Sequence, residues 1–114
     1  MSEERELNIR KPYFDLIASG VKTVEVRVGY ESMRKIRPGQ RLTFVSEGER
    51  LSTRVTGVTE YASFEELLDQ EDPIAIGGDL GKDRSELLKV IRSIYPPKKE
   101  RLGVLAIGVA LTLD

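Results

Sequence analysis

The sequence has no histidine, no cysteine and no tryptophan in its 114 residues. Without His or Cys there can be no Ser-His-Asp triad, no cysteine nucleophile, no thiolate redox centre and no tetrahedral zinc site of the usual kind. Any chemistry must run on Lys, Asp, Glu, a hydroxyl or an oxygen-ligated Mg²⁺ or Ca²⁺. A disulfide framework is excluded too. No apolar segment is long either. The most apolar stretch, Leu102 to Leu113, is broken by Gly103 and Gly108 and is too short to span a bilayer. The start, MSEEREL, is acidic and polar, unlike a signal peptide. The expectation is a soluble cytoplasmic protein with no membrane partner. The length suits one domain over 1–114 with a core that needs no staples, preceded by a disordered tail at 1–5.

Net charge is small, since 18 basic and 19 acidic side chains sum to −1. The distribution is uneven: residues 1–54 carry net +3 and residues 55–114 net −4. Glu60, Glu65, Glu66, Asp69, Glu71 and Asp72 fall in a stretch with no base. Such a block is ordinarily a solvated face; the sharper alternative is a polarised molecule with one basic side.

Along the chain, Glu6 to Ile9 alternates as a short strand, and Pro12 opens a helix whose apolar positions, Tyr13, Leu16 and Ile17, run to Gly20. This stripe predicts Tyr13 in the core. Lys22 to Val28 has strict period two, with Val24, Val26 and Val28 on one face and Thr23, Glu25 and Arg27 on the other. Residues 31–37 form a helical turn ending at the type II signal Pro38-Gly39. Arg41 to Ser46 and Leu51 to Glu60 read as a hairpin around residues 47–50, with Gly57 marking a bulge or close approach. Ser63-Phe64-Glu65-Glu66 is a capping box. Residues 72–82 form an irregular loop by their Pro and Gly content. Asp83 caps a helix carrying Leu87, Val90, Ile91 and Ile94 at core spacing, ended by Tyr95-Pro96-Pro97. The apolar segment 102–113 closes the chain as a strand buried on both faces and bent at its glycines. The fold class is α+β: a mixed, curled sheet with helices over its openings.

Chemistry is densest at Gly20-Val21-Lys22-Thr23-Val24-Glu25-Val26-Arg27. Glu25 and Arg27 share a strand face, and an outward-facing pair of this kind is worth about 0–1 kcal/mol. Lys22 joins Glu25 only if it lies in the turn before the pleat begins. If the three converge, Lys22 is either a desolvated base or, with Arg27, a binder of phosphate or carbonyl, and Glu25 accepts from an amino group such as that of cytosine. Arg10 and Lys11 stand beside the first strand where phosphates could meet them; Tyr13 and Phe14 offer base stacking or core packing.

The segment PYFDLIASGVKTVEVR resembles the signature of the ASCH (activating signal cointegrator-1 homology) domain, a branch of the PUA-like superfamily, through Gly20, Lys22, Thr23, Glu25 and Arg27. Arg37-Pro38-Gly39-Gln40, the SFEELL helix, the helix ending at Tyr95-Pro96 and the closing VLAIGVAL strand extend the resemblance from about Leu7 to Leu111. It implies a small PUA-like mixed β-barrel with two to four short helices and a cleft beside the signature strand for RNA or a nucleotide. A bacterial branch deacetylates N4-acetylcytidine with a Lys, a Thr and a Glu. Lys22 matches the Lys, Glu25 stands where the nucleophilic Thr falls, and Asp79 is the acid nearest the Glu, offset by one residue. Thr23, one step along, would be the substitute nucleophile. Other relatives are metal-dependent ribonucleases, but no residue pattern here marks a metal site. The resulting expectation is RNA or nucleotide binding by Arg10, Lys11, Lys22, Glu25 and Arg27, with no cofactor or metal. The alternatives are a metal-independent amidohydrolase using Lys22, Thr23, Glu25 and Asp79, and a protein-interaction module.

Overall fold

The computed structural model describes residues 4–77 and 83–112. Five strands, β1 (Glu4–Asn8), β2 (Val24–Val28), β3 (Arg41–Ser46), β4 (Glu49–Tyr61) and β5 (Val104–Leu111), form one sheet in the order β1-β3-β4-β5-β2. β1 and β3 are parallel and the other pairs antiparallel. Four helices accompany the sheet among the described residues: α1 (Lys11–Ala18), α2 (Phe64–Gln70), α3 (Pro73–Gly77) and α4 (Arg84–Ile94). Short 3₁₀ turns lie at Met33–Lys35 and Pro97–Leu102. No helix among the described residues is long and apolar enough to cross a membrane.

The sheet curls because β4 serves two partners. Its first half pairs with β3 and its second half with β5, with a register shift between Val55 and Gly57. Thr56 is the extra residue of this bulge, and bulges bend a strand and increase its twist. Gly108 of β5 makes room for it, since a Cβ there would lie 2.5 Å from Thr56 Oγ1. The bulge expected at Gly57 is thus present, but the close approach belongs to Gly108. The result is a half-barrel whose two edges are β1 and β2.

β5 is buried on both faces, which explains its lack of polar alternation. Leu105, Ile107 and Val109 join Leu7, Phe14, Ile17, Leu42, Phe44 and Val55 inside the curl. Val104 and Ala106 face the other way, packing with Val28, Phe64, Leu67, Ile76, Leu87 and Ile91 beneath the helices. Side chains alternate across a strand, so one segment supplies both cores.

Local differences from the sequence reading have physical causes. β1 begins at Glu4, so Glu4 and Arg5, expected in a tail, are strand residues paired with Arg41 and Leu42. The β3–β4 turn is tighter than expected: Glu47 and Gly48 have φ of 49° and 83°, the signature of a two-residue type I′ turn, so β4 starts at Glu49. Residues 73–77 of the expected loop are helical, Pro73 suiting the first turn. The capping signals hold at Ser63 and Asp83, whose side chains accept from the backbone N–H groups of Glu66 and Glu86. The acidic stretch is not left to solvent alone. Arg34 binds Glu60 at 2.7 Å, Arg84 binds Asp69 at 2.8 Å, Arg92 binds Glu65 at 3.1 Å, and the Tyr61 hydroxyl donates to Glu71 at 2.5 Å.

Gly103 connects the last 3₁₀ turn to β5 with φ 81° and ψ 161°, a region open essentially only to glycine. A Cβ there would also press on the Glu60 carboxylate and on Arg34 Nη2. Gly103→Ala is expected to cost about 1–3 kcal/mol. Urea unfolding should show the loss as a lower midpoint at unchanged slope.

Candidate functional site

The site begins with the end of α1. Gly20, at φ 84°, reverses the chain, and the Leu16 carbonyl accepts from both Val21 N and Lys22 N at 3.0 Å. Lys22 therefore sits in the turn, ahead of the pleat that starts at Val24, and strand parity does not govern its side chain. It folds inward, 3 % exposed, and reaches Glu25 at 3.2 Å. Its Nζ donates to the carbonyls of Val24 at 2.6 Å and Ile76, in α3, at 2.7 Å.

Glu25 and Arg27 point into the curl rather than to an outer face. Their cross-strand partners are Ile107 and Leu105, both members of the inner core. Glu25 is 7 % exposed and uses both oxygens, one on Lys22 and the other on Arg27 Nε at 2.7 Å and Nη2 at 2.6 Å. Arg27 Nη2 also donates to the Asn8 carbonyl at 2.8 Å. The guanidinium thereby spans the gap between β2 and β1, the two edges that no strand pairing joins.

Protonation states follow from this geometry. Three acceptors surround Lys22 Nζ, and only an ammonium has three protons to give. Burial lowers the Lys22 pKa from the ordinary lysine value, and the Glu25 carboxylate opposes that shift. For Glu25, burial acts to raise the pKa, but Lys22 and Arg27 together outweigh it and hold it below the usual carboxylate value. The trio is fully charged and carries net +1 at the base of the site.

Above it lies a cavity of about 200 Å³ with apolar walls. Lys22, Glu25 and Arg27 form its polar floor; Asn8, Ile9 and Arg10 border it from the end of β1; Ile76, Leu87, Val90, Ile91, Ile94 and Tyr95 supply walls from α3 and α4. Tyr13 lines it as well, its ring 5.8 Å from Lys22 Nζ, so Phe14 rather than Tyr13 is the buried aromatic of α1. Tyr95 stacks on Phe64 at 5.9 Å between ring centres, and burial raises its pKa, with Arg27 acting the other way.

The expected residues thus divide. Lys22, Glu25, Arg27 and Arg10 come together at one cavity. Lys11 does not line it, because its ammonium is held by Asp15 at 3.0 Å and by Glu49 and lies over the Phe14 ring. Thr23 is exposed and does not line it either; its backbone bonds to Ala75 and Val109, extending the ladder before the regular strand begins. Asp79 lies outside the described residues. The walls from α4 were present in the sequence as a helical apolar stripe that reads as core; Leu87 and Ile91 are indeed buried, while Val90 and Ile94 stay open along the cavity. The two carbonyls that engage Lys22 and Arg27 from α3 and β1 have no side-chain signature.

A half-barrel closed by side chains, with a charged cleft beside its edge strand, defines the fold as PUA-like. The ASCH domain family model matches residues 7–112, and the chain belongs to the ASCH family. It is similar to the hypothetical protein PH0355, seen in a crystal structure, at 32 % identity and TM-score 0.88, covering 96 % of this chain and all of that one. Protein PF0455 from Pyrococcus furiosus, solved by solution NMR, is 31 % identical with TM-score 0.80, covering 98 % of this chain and all of that one. Protein EF3133 from Enterococcus faecalis V583 shares the fold alone, at 13 % identity and TM-score 0.64, over 98 % of this chain and 81 % of that one. No curated protein matches the sequence.

The buried trio makes an acid-sensitivity prediction. A carboxylate whose folded pKa is depressed stabilises the protein fully above its unfolded value of about 4.3, and that contribution is lost as pH falls through the folded pKa. Glu25→Gln removes it and leaves the buried Lys22 and the half-buried Arg27 without their anion, which should cost about 3–5 kcal/mol near pH 7. Urea unfolding at several pH values should find this gap narrowing towards pH 2, with a shallower acid dependence in the variant.

Proposed function

We propose that this ASCH domain binds RNA or a nucleotide in the cavity, with the Lys22–Glu25–Arg27 floor recognising the polar edge of a base. One observation carries the reading: a charged, geometrically fixed floor lies at the bottom of an otherwise apolar pocket with Tyr95 in its wall. Apolar walls suit the faces of a planar ring, while a few fixed polar groups set its orientation. Among the described residues Arg27 Nη1 has no protein acceptor, so it is the donor left for a carbonyl or phosphate oxygen. Among the described residues Glu25 is the only anion lining the cavity, and its Lys22-facing oxygen, with one cation partner where the other has two donors from Arg27, keeps a lone pair to accept from an amino or ring N–H group. Arg10, exposed at the border, supplies a second positive charge for the backbone.

Binding is favoured over hydrolysis by the protons on Lys22. A general base needs a free lone pair, and a lysine donating to three acceptors has none. Thr23, the substitute nucleophile, stands apart from the cavity. Deacylation of an N4-acylated cytidine would then need a water molecule activated at Glu25, whose two oxygens already face cations.

Short single-stranded RNA and ribonucleoside 5′-monophosphates, titrated at several salt concentrations, test the proposal. Arg10→Ala should weaken RNA binding and reduce the salt slope by about 0.7, the share of one phosphate contact on a single strand. Arg27→Lys keeps the charge but loses the planar fork, and should weaken binding about tenfold at unchanged slope. Absence of binding to either probe at low salt would overturn the reading. Release of cytidine from N4-acetylcytidine would move the site to the amidohydrolase alternative, and inactivity in both assays would favour a protein-interaction module.

A further inference from the structure

Beside the cavity, the 3₁₀ turn Pro97–Leu102 has its charges sorted. Its acid, Glu100, turns inward: the side chain is 13 % exposed, bound by Arg92 Nε at 3.1 Å, and it accepts from the Phe64 backbone N–H at 3.4 Å. Lys98 and Arg101 face outward, and neither they nor Lys99 is ion-paired to a described residue. The cations Arg34, Arg50, Arg84 and Arg92, by contrast, each hold a carboxylate.

Tyr30 is fixed against this turn. Gly29 donates to the Gly103 carbonyl at 2.8 Å, and a Cβ on Gly29 would lie 2.7 Å from the Leu102 carbonyl oxygen, so the two segments touch at backbone level. Arg34 fastens them, donating to the carbonyls of Gly29 at 2.9 Å and Leu102 at 2.5 Å while its fork holds Glu60. Yet the Tyr30 side chain is not packed away: the residue is 36 % exposed, with Lys99 Nζ over the ring at 5.6 Å from its centre, so a base stacking on that face takes the place of the ammonium. An exposed aromatic on a rigid support costs little entropy on stacking, and a neighbouring ammonium can reach a phosphate at the same time. The position also continues the cavity. Tyr30 lies three residues beyond Arg27 on the same segment, and the turn that carries Lys99 follows directly on Tyr95 and Pro96, Tyr95 lining the cavity and Lys99 N donating to the Pro96 carbonyl at 2.9 Å.

We infer that Tyr30 and Lys99 form a second nucleotide subsite, taking the base and phosphate adjacent to the nucleotide in the cavity, so that the ligand is single-stranded RNA and not an isolated nucleoside. The inference rests on the cavity reading and extends it outward. Base stacking on an aromatic is tolerant of sequence, so this subsite adds affinity while the floor supplies selectivity.

The test uses the intact chain with two probes, a short mixed-sequence single-stranded oligoribonucleotide and the four ribonucleoside 5′-monophosphates, with unfolding curves recorded for every variant. Tyr30→Ala should weaken the oligonucleotide about tenfold and leave the monophosphates unchanged, and Tyr30→Phe should restore the oligonucleotide affinity. Lys99→Gln should lower the salt slope for the oligonucleotide by about 0.7. If Tyr30→Ala binds the oligonucleotide as tightly as the unmodified protein, or loses both probes equally, the subsite is overturned while the cavity reading stands. If the unmodified protein binds neither probe, both fall together.

Discussion

The half-barrel depends on a buried charge network that stands where a pair of strands would otherwise meet. β1 and β2 are the open edges of the sheet, and hydrogen bonds between strands do not connect them. Arg27 bridges them through the Asn8 carbonyl, Glu25 fixes Arg27, and Lys22 fixes Glu25 while tying α3 to the base of β2 through the Ile76 carbonyl. Removing one member leaves a buried charge unanswered, which is far costlier than the pair is stabilising. An apolar plug could close the same gap at lower desolvation cost. In the proposed function, the ions are retained because the same gap presents charge to the ligand.

That double use sets what the site can do. Because both Glu25 oxygens face cations and all three Lys22 protons are committed, the floor is rigid, and rigid polar groups select by geometry without reorganising. The spare donor on Arg27 and the flat walls from α4 and Tyr95 complete a pocket suited to holding a ring. The same commitments leave little freedom for proton transfer. Outward from the pocket the molecule changes character: Arg34 locks the Tyr30 segment to the turn that carries Lys98, Lys99 and Arg101, giving an exposed aromatic beside Lys99, which pairs with no carboxylate among the described residues.

Much of this was legible in the sequence. Period two in residues 24–28, the capping residues Ser63 and Asp83, the Gly57 bulge and the doubly buried final strand all reflect local rules that tertiary packing reinforced. The crowding of Lys22, Glu25 and Arg27 marked the right segment, and the resemblance to the ASCH signature identified the family. The condition set for Lys22 is met, because the turn after Gly20 delays the regular strand until Val24 and lets Lys22 swing in to Glu25, while Thr23, expected on the face of Glu25, is exposed and does not line the cavity. Tyr13 read as core because a helical stripe cannot say whether its neighbours are side chains or a cavity. Lys11 was a free cation in sequence and an ion-paired one in space, because Glu49 arrives from a hairpin 38 residues away. The carbonyls of Asn8, Val24 and Ile76, which decide how Lys22 and Arg27 sit, are invisible to any reading of side chains.

The central claim is that Lys22 is a structural ammonium within a charged binding floor. The most direct measurement is a ¹⁵N NMR spectrum of the lysine side chains near neutral pH, assigned by comparison with Lys22→Arg. The account predicts an ammonium signal for Lys22 with protons protected from exchange by their three acceptors. A neutral amine signal at that position would contradict it and return Lys22 to the role of a base.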